Sequence, residues 1–143
     1  MVIQKSHLKK NILDQVIAVA LASDSPKRMG AILLKRNKIV SAATNSYTKT
    51  HPIQKWAAER TARLYNQKDY GLKQYLHSEI NAIIKAKGEP ADTIVVCRIG
   101  GHGGKDLRDA RPCRICSGFL IQHGVFHVHY STNYGFLYEY WGN

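Results

Sequence analysis

The sequence has no apolar run long enough to cross a bilayer. Its longest, Val16 to Ala22, is seven residues, against the roughly 18 to 20 that a spanning helix needs. The opening residues, MVIQKSHLKK, carry no apolar stretch of the secretory kind. Cysteine is scarce and odd in number, three in 143 residues, so a disulfide framework is not expected. Acidic residues are few: 10 Asp and Glu stand against 21 Lys and Arg, a formal charge of +11. No repeat or low-complexity tract interrupts the chain. These absences argue against membrane-spanning, disulfide-stapled and disordered classes, and they predict a soluble cytoplasmic protein with no membrane partner.

What is present is ordinary for a globular chain: 44% hydrophobic and 22% charged residues. The length predicts a single domain over residues 1–143. The positive field favours anionic partners, whether nucleic acid, nucleotides or an acidic surface, without choosing among them. A basic surface that only aids solubility is the other reading.

Periodicity supplies the elements. Asn11 to Ser23 has apolar residues at Ile12, Leu13, Val16, Ile17, Ala20 and Leu21, the spacing of an amphipathic helix, with Asn11 as its expected N-cap. Met29–Lys35 and Lys38–Thr44 read as strands joined by a hairpin at Arg36-Asn37. Ile53–Asn66 and His77–Lys87 read as helices, the second closed by Gly88 and Pro90. Asp92–Ile99 is a β-branched strand holding Cys97, which is expected to be core. Residues 100–111 read as an open loop, Pro112 to Gln122 as a helix ending at Gly124, and Val125–Tyr130 as a strand. The tail, 133–141, is aromatic and reads as helix or packed extension. The order predicts an α/β domain of three layers, α-β-α, around one mixed sheet.

Two helix starts carry chemistry. His77-Ser78-Glu79 opens one, and Pro112-Cys113-Arg114-Ile115-Cys116 opens the next, one strand later. An imidazole and two thiolates suit tetrahedral Zn²⁺, and three protein ligands leave a position open, as a catalytic site requires. A helix N-terminus favours the thiolate. Glu79, two residues from His77, is close enough to move a proton at such a site without ligating the metal. Taken singly, H-x-E means nothing, and C-x-x-C is also a redox pair or half a closed structural zinc site. His51, His102, His123, His127 and His129 are available as a fourth ligand for the latter.

The combination H-x-E with P-C-x-x-C resembles the zinc-dependent cytidine and deoxycytidylate deaminase superfamily. The resemblance covers roughly Ile12 to Ser131 and includes the hairpin from Ser25 to Asn45. It implies a cytidine-deaminase-like fold with roughly five strands in the sheet, which makes residues 53–76 a helical insertion before the zinc motif. It implies zinc ligation by His77, Cys113 and Cys116, a proton shuttle at Glu79, and substrate contacts from Asn45 and from the main chain at Ser78 and Pro112. The implied reaction is hydrolytic deamination, with ammonia leaving. Two departures stand out. Ser78 replaces the usual Ala between His and Glu, where its hydroxyl would bond the base or face solvent. Ser46, not Gly, follows Asn45, which is also an ordinary turn residue.

Two substrates compete. A free pyrimidine nucleotide, with dCMP converted to dUMP, suits the hairpin and the length; Lys49, His51, Arg108 and Arg111 then stand near the motifs as phosphate-binding candidates. Cytosine, or less readily adenine, in single-stranded DNA or RNA suits the charge. It also suits the segment Lys55–Lys73, where Lys55, Arg60, Arg63, Lys68 and Lys73 outnumber Glu59 and Asp69 and interleave with Trp56, Tyr65 and Tyr70, with Tyr75 just beyond. Tyr134, Phe136, Tyr138, Tyr140 and Trp141 carry the same two readings, base stacking or ordinary packing, with a homo-oligomer interface as a third. A non-catalytic nucleic-acid-binding zinc module is the third reading, and Glu79 argues against it.

Overall fold

The computed structural model describes residues 2–72, 75–101 and 103–142. In chain order the elements are β1 (Ile3–Lys5), α1 (Lys10–Leu21), β2 (Arg28–Lys35), β3 (Lys38–Thr44), α2 (Pro52–Tyr65), a 3-10 turn (Lys68–Leu72), α3 (Ser78–Lys85), β4 (Thr93–Gly100), β5 (Asp106–Arg108), α4 (Arg114–Gln122), β6 (His127–Thr132) and β7 (Gly135–Tyr140). The strands form one mixed sheet in the order β1-β7-β6-β4-β2-β3, with β5 also paired to β4. Among the described residues only the β4–β6 pair is parallel.

Among the described residues the sheet therefore has seven strands where roughly five were expected. β1 and β5 are three residues each, too short to show any alternation in sequence. They exist because a neighbouring edge offers partners: β7 for β1, and the far end of β4 for β5. On that edge of β4, β6 pairs with Thr93–Val96 and β5 with Arg98–Gly100. Ser131 bridges the junction, its Oγ accepting from the Arg98 amide at 2.9 Å and donating to the Arg108 carbonyl at 2.7 Å. Part of the expected open loop is thus strand. The aromatic tail is the edge-side strand β7, which seats Phe136 in the core and leaves Tyr134 fully exposed at the turn.

Both faces of the central strands are covered, which is why β2 and β4 read as continuous apolar runs. Ile32, Leu34, Val95 and Cys97 pack with Ile12, Val16 and Ala20 of α1. Ala31, Leu33, Ile94 and Val96 pack with Ala82 of α3 and Leu120 of α4. α2 joins this side through Ala57 and Ala58 against Ile80, Ile115, Cys116 and Phe119, a cluster with no strand residue. α1 lies so close to β2 that a Cβ on Gly30 would stand 2.5 Å from the Ala20 backbone nitrogen.

Local chemistry sets the ends. Arg36 and Asn37 both take positive φ, 49° and 67°, so the hairpin turns as two-residue loops of this hand do. Pro52 begins α2 after His51, whose Nδ1 accepts from the Ile53 amide at 3.1 Å. Asn11 is not the N-cap of α1; Lys9 is, without a side-chain cap bond, and Asn11 lies in the first turn. No helix among the described residues is long and apolar enough to cross a membrane.

This topology positions the site. β3 and β4 are each antiparallel to β2, so they run the same way and end at the same end of the sheet. The chain leaves β3 toward α2 and α3 and leaves β4 toward α4. The Asn81 side chain of α3 donates to the Thr44 carbonyl at the end of β3, at 3.0 Å.

Candidate active site

His77 and Cys113 are the N-cap residues of α3 and α4, and Cys116 lies in the first turn of α4. The two helix starts converge so that His77 Nδ1 lies 3.3 Å from Cys116 Sγ and 3.7 Å from Cys113 Sγ. The three donor atoms all lie within 4.8 Å of one another. Among the described residues this is the only such group with three or more members, and it contains three. One nitrogen and two sulfurs at this separation fit zinc, whose bonds to such donors are about 2.0 to 2.3 Å long in tetrahedral geometry.

The neighbouring groups pull in opposite directions. The Cys113 thiol is lowered to about 4, chiefly because Cys116 donates to it, with His77 beside it. Burial pushes the Cys116 thiol up. Burial also pushes up the carboxyl of Glu79, which is only 3% exposed. Ser78, fully buried, donates to Glu79 Oε1 at 2.8 Å. Its hydroxyl therefore neither faces solvent nor reaches into the cleft; it fixes the carboxyl.

A cleft of about 450 Å³ opens onto His77, Glu79 and Cys113. Its walls include Ser25, Pro26, Lys27, Met29, Asn45, Tyr47, Tyr75, Leu76 and Arg111. A larger cavity of about 540 Å³, between the ends of α3 and α4 and the start of α2, contains none of the donor group. Chemistry, not size, selects the smaller one.

Asn45 lies on the cleft wall, but its amide is committed within the chain. Oδ1 accepts from Ser23 Oγ at 2.7 Å and from the Met29 amide at 3.1 Å; Nδ2 donates to Ser25 Oγ at 3.3 Å and to the Lys27 carbonyl at 2.7 Å. Pro112 is buried, its carbonyl accepting from Ser117 Oγ at 3.2 Å. Of the phosphate-binding candidates, Arg111 is on the cleft and Lys49 lines a polar recess beside it. His51 caps α2, and Arg108 sits on β5 near Asp106. Cys97 is core, its thiol pushed up to about 12 by burial. His123 bonds the Phe119 carbonyl, His127 bonds Tyr138 and His129 bonds Ser6, so none belongs to the donor group. His102 and Lys73 lie outside the described residues.

Two supporting residues escaped sequence reasoning. Gln54, buried in α2, accepts from the His77 amide through Oε1 at 3.1 Å. Glu139, fully buried on β7, holds Arg111 through two hydrogen bonds of 2.8 and 2.9 Å. Neither shows a local motif; each is a polar residue in a segment legible only as helix or tail.

No curated protein matches the chain. Among solved structures, the dCMP deaminase from the cyanophage S-TIM5 is similar in apo form at 20% identity, with 86% of this chain and 84% of that chain covered and a TM-score of 0.47. The same enzyme in complex with dCMP and dUMP is similar at 23% identity, over 87% and 83%, again with a TM-score of 0.47. The family model for the cytidine and deoxycytidylate deaminase zinc-binding region matches residues 6–132, which contain all three metal-binding candidates and Glu79. On that match the chain belongs to the cytidine and deoxycytidylate deaminase family, and Zn²⁺ is the metal its His/Cys/Cys group is built to hold.

Proposed function

We propose that the chain is a zinc-dependent hydrolytic deaminase of cytosine nucleotides, and that dCMP, converted to dUMP, is its substrate. The observation that carries the proposal is the convergence of His77, Cys113 and Cys116 beside a buried Glu79 at the floor of one cleft. Zinc bound there supplies a Lewis acid that makes water a nucleophile near neutral pH. Glu79 would take one proton from the attacking water and pass it to the ring nitrogen, then take the proton of the added hydroxyl and pass it to the amine, which leaves as ammonia while the carbonyl forms. Ser78 orients that carboxyl, and the buried surroundings keep it protonable. Asn45 shapes the wall by fixing Ser23 to Met29 against the end of β3, and the main chain at Ser78 and Pro112 sets the helix starts that carry the ligands.

The polynucleotide reading has one observation of its own. Tyr47 and Tyr75, 49% and 58% exposed, both line the cleft, where rings of this kind stack on flanking bases. The other aromatics of the basic segment are partly engaged: Arg60 lies over Trp56 at 5.8 Å and Arg114 over Tyr65 at 4.4 Å. A substrate panel separates the two. The zinc-loaded protein is given dCMP, CMP, cytidine, deoxycytidine, and single-stranded DNA and RNA, with products read by mass spectrometry. Turnover of dCMP above the rest supports the first reading. Turnover confined to oligonucleotides replaces it with the second, and no turnover at all rejects both.

A further inference from the structure

Arg111 is held from behind and open in front. Its Nε and Nη2 donate to Oε2 and Oε1 of Glu139 at 2.8 and 2.9 Å. Glu139 is fully buried and also accepts from the Tyr130 hydroxyl and, at 3.1 Å, from Trp141 Nε1. These four hydrogen bonds, those from Arg111 foremost, hold its carboxyl down to about 2, so the pair stays ionised. The Arg111 guanidinium also lies over the Trp141 ring, 5.6 Å from its centroid. An arginine offers five N–H donors; two serve Glu139, and the side chain remains 46% exposed.

The open side belongs to the cleft. Arg111 lines it together with His77, Glu79 and Cys113, and Lys27 lines it too. Among the described residues lining the cleft, the only carboxyl is Glu79 itself, at the floor. A planar fork already fixed by a bidentate partner loses little freedom when it takes a second anion, and its geometry matches phosphate. Lys27 adds charge but no comparable fixation.

We infer that Arg111, positioned by Glu139, binds the phosphate of the substrate and makes this site selective for a nucleotide over the corresponding nucleoside. The inference rests on the deaminase reading for the site's substrate, but its test does not need turnover. Calorimetry measures binding of dUMP and of deoxyuridine to the zinc-loaded protein. The forms compared are wild type, Arg111→Lys, and Arg111→Met paired with Glu139→Gln so that no unpaired carboxylate is left buried. Charged hydrogen bonds of this kind predict that wild type prefers dUMP by roughly 10- to 100-fold. The paired variant, with its fold checked by circular dichroism, should lose most of that preference, and Arg111→Lys should lose much of it despite keeping the charge. A preference kept within about threefold in the folded paired variant overturns the inference, as does its absence from wild type. Turnover then separates the two ideas. Glu79-dependent deamination of dCMP with an unchanged binding ratio in the paired variant rejects the Arg111 role alone. Arg111-dependent dUMP binding without deamination of any cytosine nucleotide rejects the deaminase reading alone.

Discussion

The side chain of Gln54 accepts a hydrogen bond from the backbone amide of His77 at 3.1 Å. It ties the first turn of α2 to the residue that both caps α3 and contributes an imidazole to the donor group. That amide is one of the donors a helix start leaves unsatisfied. Its partner is fully buried, while Gln54 Nε2 has no hydrogen-bond partner among the described residues. The start of α2 is thus part of the site's foundation.

Gln54→Leu should therefore weaken zinc binding by about 10-fold, in line with other losses of outer-shell support for a metal ligand. Competition with a chelator measures it. Unchanged zinc affinity in a folded Gln54→Leu variant contradicts the tie.

Cys113→Ala and Cys116→Ala should each lose stoichiometric zinc and, by linkage, the stability that zinc confers on the folded chain. Metal analysis and thermal melts with and without added zinc read both effects. Stoichiometric zinc in both variants refutes the ligand set.

Acid should destabilise the fold in two stages. Burial, with His7 and His127 adding to it, lowers His129 to about 3 from its ordinary 6.5. Between those values the unfolded chain binds a proton that the folded chain refuses, so stability falls as pH drops below about 6.5. Glu139, held down to about 2 from 4.5 chiefly by Arg111, has the same sign and steepens the loss below about 4.5. Denaturant titrations across this range measure the slope. His129→Gln should flatten the upper stage; an unchanged slope there contradicts the assignment.

Gly30→Ala should destabilise the fold by about 1 to 3 kcal/mol, the usual cost of an added group in a packed interface. The new Cβ would meet the backbone of Ala20 at 2.5 Å, and a backbone atom cannot swing aside. A chemical-denaturation midpoint equal to wild type contradicts the close approach of α1 to β2.

Legibility in the sequence followed the range of the interactions involved. The β2–β3 hairpin was readable because Arg36-Asn37 interrupts two apolar runs locally. The donor group was readable because His77 and Cys113–Cys116 stand at helix starts, where residue type and position carry the same message. β1, β5 and β7 were not readable as strands, because a three-residue edge pairing has no pattern of its own and Phe136 to Tyr140 mixes core, surface and ion-pair roles. Asn45 was readable as a candidate and does line the cleft, yet its four hydrogen bonds to Ser23, Ser25, Lys27 and Met29 depend on a loop conformation that no motif announces. Glu139 and Gln54 were invisible for the same reason: their partners are 28 and 23 residues away.

The most direct test measures dCMP deamination and zinc content in the same samples of wild type and Glu79→Ala. Glu79 lies beside the donor group without belonging to it. The account predicts one zinc per chain in both proteins and a loss of turnover of about 100-fold or more in the variant, the scale of a positioned proton shuttle. Full turnover by Glu79→Ala with zinc still bound, or loss of zinc from the variant, contradicts it.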